Sequence, residues 1–187
     1  MTAIEKELRK IQEMPPNIQQ MALAALLAEK FEKYDVILTV VGGAAVQFYS
    51  DAEYVTGDLD AILFGDTKEI IETVMGELGF RRTTMYRHFE NPKFPFVVEF
   101  PPSPIEVGGR HLDKFNVLKL DRLSVRVIRV EDLIMDRIVA GVEWRDQPSL
   151  DQARLLWLKN KDEIDLKYLT QFAKEEGYAA TLKKIIQ

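Results

Sequence analysis

The chain contains no cysteine, which excludes a disulfide framework, a thiolate metal site and a thiol nucleophile. Histidine is almost as scarce. His88 and His111 are the only two; they lie in different segments without metal-ligand spacing and read as ordinary surface or turn residues. Long apolar runs are missing as well: the longest, Met21 to Ala28, has eight residues, whereas a bilayer-spanning helix needs about 20. Acidic Glu5 and Glu7 interrupt any leader-like start, so the location expected is cytoplasmic and no membrane partner is expected. No Gly-X4-Gly-Lys-Ser/Thr run is present to form a P-loop. Ser103 and Ser124 lack the Gly-X-Ser-X-Gly setting of a hydrolase nucleophile.

Positive charge is in short supply, since 25 Lys and Arg against 30 Asp and Glu leave a formal net charge of −5. That balance argues against a general nucleic-acid coat. The shortage is uneven, because between Arg81 and Arg126 nine Lys or Arg face only five acids. Two readings stay open: cations gathered for a metal-bound polyphosphate, or a solvated sheet edge whose charges discourage edge pairing.

What is present is a chain of 187 residues with 47% hydrophobic content, enough for one domain with a sizeable core. Residues 3 to 13 read as a short helix ended by Pro15-Pro16, after which Asn17 caps a second helix to about Tyr34. Val36 to Val41 is β-branched and apolar, as for a strand covered on both faces. Gly42-Gly43 breaks it, and Ala44 to Tyr49 resumes at helical spacing. Tyr54 to Phe64 follows as a strand, then a helix from Thr67 to Leu78, capped by Asp66 or Thr67 and closed by Gly79. Phe80 to Phe89 and Phe94 to Phe100 read as two strands separated by Asn91-Pro92. Gly108-Gly109-Arg110 reads as a loop. Val117 to Leu120 and Ser124 to Val130 are short strands, and helices follow at about 131–143, 149–159, 165–176 and 178–186. The fold class expected is α+β, or mixed α/β, with a core at 1–130 that includes the N-terminal helices and a helical C-terminal region at 131–187.

The chemistry gathers around Thr56-Gly57-Asp58-Leu59-Asp60. Carboxylates at i and i+2 of a strand point to the same side, so Asp58 and Asp60 can face one cation. Their hard oxygens suit Mg²⁺, which borrows its remaining ligands from waters and substrate phosphates. Glu99, in Phe96-Val97-Val98-Glu99-Phe100, is an acid among apolar neighbours and needs a partner or a ligand. Three carboxylates can hold two metals, one activating a hydroxyl and one stabilising the leaving oxygen. Gly42-Gly43 sits where a strand yields to a helix, so bare amides and a helix N-terminus can approach a phosphate. Arg81, Arg82 and Arg87 on a strand, or Arg137 and Arg145 on helices, are candidate cations for such a site, each with exposed salt bridging as the plainer role.

This pattern resembles the nucleotidyltransferase superfamily, with its polymerase-β-like fold. The resemblance is carried by Gly42-Gly43-Ala44-Ala45-Val46, by Thr56-X-Asp58-X-Asp60 and by Glu99 as third acid. It looks closer still to the toxin- and antitoxin-type nucleotidyltransferases of bacteria and archaea, through Glu131-Asp132-Leu133-Ile134 and the segment Arg145-Asp146 to Asp151. The likeness spans about residues 35 to 158. It implies a central mixed sheet flanked by helices, and a Mg²⁺-dependent transfer of a nucleoside monophosphate from an NTP to a hydroxyl of a protein, RNA end or small molecule. Asp58, Asp60 and Glu99 would be the catalytic metal ligands for two Mg²⁺ ions, with Mn²⁺ as a substitute. Gly42, Gly43, Thr56 and Arg137 would bind the nucleotide and its phosphates, and a cognate toxin or antitoxin protein would be a partner. Gly43 stands where many relatives have serine, Glu99 where the third acid is often Asp, and Arg137 where toxin-type relatives have a helix lysine. A module of the same fold that binds a nucleotide or partner without turnover is the alternative.

Overall fold

Two prolines separate the first two helices. α1 (Ala3–Gln12) opens with a reciprocal capping box between Thr2 and Glu5. α2 (Pro16–Glu32) opens with Pro16 in its first turn, where the missing N–H would have had no partner. Pro15 holds the N-cap position, so Asn17 lies inside the helix rather than capping it. The computed structural model describes residues 2–65, 67 and 69–187, and of Asn17 the backbone alone. The cap expected at Asp66 lies outside the described residues.

The chain continues through β1 (Ile37–Val40), α3 (Gly42–Tyr49), β2 (Asp58–Phe64), α4 (Ile70–Glu77), β3 (Arg81–Arg82), β4 (His88–Glu90) and β5 (Val97–Glu99). It then forms β6 (Glu106–Val107), β7 (Arg110–His111), β8 (Phe115–Leu120) and β9 (Leu123–Ile128). It ends in α5 (Val130–Glu143), α6 (Gln147–Asn160), α7 (Leu166–Glu175) and α8 (Ala179–Ile186). Seven strands form one mixed sheet in the order β3-β4-β5-β2-β1-β9-β8. The pairs β1–β9 and β2–β5 are parallel and the others antiparallel. The class is α+β, as expected.

Several boundaries differ from the reading of the sequence. The expected strand Phe80 to Phe89 is split into β3 and β4, because a turn closes between them. In it Thr83 N–H donates to the His88 carbonyl at 2.9 Å, and Arg87 takes a left-handed φ of 60°. Gly108-Gly109 is the turn of a second, two-stranded sheet, β6–β7, rather than a plain loop. α3 starts at Gly42 and not at Ala44, and β2 starts at Asp58 and not at Tyr54. α4 starts at Ile70, with no side-chain cap from Thr67.

Side chains alternate across the sheet, and register sorts them into two faces. Leu38, Val40, Leu59, Ala61, Val98, Phe89, Val125 and Val127 share one face. All are nearly inaccessible, packed beneath α2 and α3. The opposite face is less covered. It presents Asp58, Asp60, Glu99, His88 and Arg126; on it Thr39 is fully buried while Ile37 is 43% exposed, so β1 is covered on both faces except at its first residue.

The C-terminal helices contribute Leu133, Ile134, Ile138, Leu156, Leu169 and Phe172 to the same apolar cluster as the sheet. Polar ties fix them in place. Glu131 and Asp132, buried in the first turn of α5, accept from the Asp165 amide at 2.8 Å and the Tyr168 hydroxyl at 2.5 Å. Burial pushes the Asp132 carboxyl up from its ordinary value, against the lowering effect of the Tyr168 hydrogen bond. Among the described residues, no helix is long and apolar enough to cross a membrane.

Candidate active site

β2 and β5 run parallel with Asp60 opposite Glu99 and Asp58 opposite Val97. In-register neighbours share a face, so all three carboxylates lie on the open side of the sheet while Leu59 and Val98 fill the core behind them. Asp58 begins its strand exposed, whereas Asp60 and Glu99 are partly covered.

Asp60 is seated on the start of α3. The Gly43 amide donates to Asp60 Oδ2 at 3.1 Å. A Cβ on Gly42 would stand 2.3 Å from that same oxygen, and Gly42 has a φ of +59°. Both constraints require glycine at this position. Burial pushes the Asp60 carboxyl up to about 6, with Glu99 and Asp58 adding to the rise; the Gly43 hydrogen bond and the charge of Arg137 oppose it. Arg137 therefore acts on this carboxylate from α5, although its guanidinium also pairs with Asp136 and reaches Gln152 at 3.4 Å.

Gly43 lacks the serine hydroxyl of many related turns, and the reason is local. A Cβ at Gly43 would stand 2.9 Å from Thr56 Oγ1, so the Thr56 hydroxyl occupies the room a serine side chain would take. Thr56 is held there by buried Gln47: the Thr56 amide donates to Gln47 Oε1 at 2.9 Å, and Gln47 Nε2 donates to the Pro16 carbonyl at 2.8 Å. Thr56 Oγ1 in turn accepts from the Asp58 amide at 3.3 Å. In the sequence Gln47 carries a single signal, an amide side chain in an otherwise apolar helix.

His88 is not the ordinary surface or turn residue expected from the sequence. It lies opposite Glu99 on β4, and its Nε2 stands 3.1 Å from Glu99 Oε1. The acid among apolar neighbours thus has the partner it needs. Arg82 does not join the site, since it faces the covered side and pairs with Glu72 on α4. Arg145 ends up in the turn after α5, with a φ of 54°.

The donors suit a hard divalent cation, being three carboxylates on one face of neighbouring strands. As the side chains stand, no group of three or more carboxylate or histidine side chains among the described residues is arranged around an ion. Asp60 is turned to the Gly43 amide and Glu99 to His88.

No protein-family profile and no curated protein matches the chain, but solved structures do. An antigenic nucleotidyltransferase-like protein from Paracoccidioides brasiliensis aligns over 88% of this chain and 92% of its own, with a TM-score of 0.57 at 13% identity. The chain has the nucleotidyltransferase fold. A second similar structure of that fold is ANT(2″)-Ia in complex with adenylyl-2″-tobramycin: 84% of this chain and 97% of that one align, with a TM-score of 0.53 at 15% identity. The solution structure of the same antibiotic-resistance factor covers 95% of this chain and 97% of its own, at 16% identity and a TM-score of 0.50.

Proposed function

We propose that this nucleotidyltransferase-fold protein transfers a nucleoside monophosphate from an NTP to a hydroxyl acceptor, with Asp58, Asp60 and Glu99 holding two Mg²⁺ ions. The observation that carries this reading is the parallel register of Asp60 with Glu99 beside the glycine turn of α3. The metal would supply charge neutralisation for the triphosphate and for the attacking and leaving oxygens.

The chain's own residues do the rest. Gly42 and Gly43, with no side chains, leave the first turn of α3 open to close approach by a phosphate. Thr56 supplies the hydroxyl that Gly43 lacks, and Arg137 adds a cation over the same place. Glu99, steadied by His88, receives the proton of the acceptor hydroxyl. The acceptor oxygen bonds to the α-phosphorus, the bond from that phosphorus to the bridging oxygen breaks, and pyrophosphate leaves with the electron pair.

Incubation with labelled NTPs, Mg²⁺ and cell extract tests this. Label should move to an acceptor with the natural protein and not with Asp58→Ala/Asp60→Ala. Label moved equally by that double variant would sink the assignment.

A second reading, a module that binds a nucleotide or a cognate toxin or antitoxin protein without turnover, draws on one observation. Asp60 already occupies the Gly43 amide that a phosphate would use. Calorimetry with Mg²⁺ and each NTP separates the two, since tight binding without pyrophosphate release supports the module.

A further inference from the structure

The cations between residues 81 and 126 divide into two groups once the sheet is assembled. Arg82 pairs with Glu72, Arg110 with Glu175, and Arg122 with Glu7 and Glu29. These are structural ties. Arg81, Arg87, Lys93, Lys114, Lys119 and Arg126 have no carboxylate within salt-bridge reach among the described residues. Arg81 lies opposite Glu90, and Arg126 opposite Thr39, so both side chains belong to the face that carries Asp60 and Glu99. Arg81 and Arg126 thus flank the carboxylates on that face, towards the two edges of the sheet. Plain edge protection does not account for Arg126, which sits on β9, one strand in from the edge strand β8.

The turn between β3 and β4 adds an aromatic. Tyr86 is 76% exposed and Met85 60% exposed. The Arg87 guanidinium lies 5.5 Å from the centre of the Tyr86 ring. This turn is anchored next to Glu99, because the Phe100 amide donates to the Arg87 carbonyl at 3.1 Å. An exposed ring with a stacked guanidinium, beside further unpaired cations, is the arrangement that holds bases and phosphates of an unpaired strand.

We propose that the acceptor is the hydroxyl-bearing end of a single-stranded nucleic acid, with a base near that end stacked on Tyr86 and phosphates along Arg81 and Arg87. Its hydroxyl meets Glu99, and the transfer step is the one written above. Only that step rests on the proposed function; the binding platform stands on its own residues. A polycationic acceptor fits less well, because Glu90 is the one carboxylate on β3, β4 and their turn.

Fluorescence anisotropy with end-labelled oligonucleotides of about ten nucleotides, one RNA and one DNA, tests the platform at low salt without NTP. The natural protein should bind at least one of them. Tyr86→Ala should weaken binding by about five-fold or more and Tyr86→Phe should restore it. Arg81→Ala/Arg87→Ala should flatten the dependence on salt. All three positions are at the surface or in a turn, and circular dichroism checks that the variants fold. The inference is overturned if these substitutions leave oligonucleotide binding unchanged. It is also overturned if neither oligonucleotide binds while tobramycin or a hydroxyl-bearing peptide does. Calorimetry with Mg²⁺ and NTP is run alongside. NTP bound without oligonucleotide overturns the platform alone, whereas oligonucleotide bound without NTP supports the platform and removes the transfer reading.

Discussion

Asp60 Oδ2 lies against Gly42 so closely that a Cβ there would stand 2.3 Å away, in a backbone with φ +59°. Gly42→Ala therefore meets two obstacles, a clash with a carboxylate that carries the proposed chemistry and a left-handed conformation costing about 1–3 kcal/mol for a non-glycine residue. The expected outcome is a lower denaturation midpoint together with loss of Mg²⁺-dependent NTP binding. Gly57→Ala is the control, since nothing stands within 4 Å of a Cβ there; it should leave both nearly unchanged.

The carboxyl of Asp60 has a folded value of about 6, above its ordinary 3.8. For a raised acid the sign is fixed: between those two values the folded protein binds the proton that the unfolded chain has released, so this group's contribution to stability falls as pH rises through the window. Asp60→Asn should stabilise the metal-free protein at pH 8 by about 1–3 kcal/mol, and the gain should vanish near pH 4. Divalent-ion binding has the opposite slope, because the ion needs the ionised carboxylate. Denaturation curves and Mg²⁺ titrations across pH 4 to 8 measure both. Mg²⁺ affinity independent of pH through 6 would count against Asp60 as a ligand.

The Asp58/Asp60 alternation was legible because it is local: an acid, a leucine and an acid on one strand declare two faces. The same holds for Gly42-Gly43, where a run of β-branched residues stops. Glu99 was legible only as an anomaly, an acid in an apolar strand. Its partner was not, since His88 reaches it through strand register, and register depends on a turn at Thr83 to Arg87 that is hidden within an apparently continuous strand. Thr56 was placed near phosphate by likeness alone. That its hydroxyl fills the space beside Gly43 is a contact between segments thirteen residues apart, which no periodicity in either segment announces.

His88 should act through Glu99 rather than on substrate directly. With His88→Ala the carboxylate loses the group 3.1 Å from Oε1, and turnover should fall by about ten-fold, a loss typical of a removed outer partner of a metal ligand. The KM for NTP should stay near its original value. His88→Gln, which keeps a donor nitrogen, should recover most of the loss. Equal loss in both variants, with KM raised in step, would assign His88 to substrate binding instead.

Tyr168 tests how the C-terminal helices are held. Its hydroxyl donates to Asp132 at 2.5 Å, and Asp132 is 1% exposed. Tyr168→Phe removes the donor while keeping the ring beneath the Arg129 guanidinium, 4.5 Å away. A buried carboxylate losing one hydrogen bond costs about 1–3 kcal/mol, so the urea midpoint should drop while the slope stays constant. Asp132→Asn in the Tyr168→Phe background should recover part of the loss, because an uncharged amide is cheaper to leave short of a partner in that site. Arg137 lies on the same helix as Asp132 and acts on Asp60. Loosening α5 should therefore also weaken NTP binding, and a stability loss that leaves NTP affinity untouched would show that α5 holds Arg137 in place without this contact.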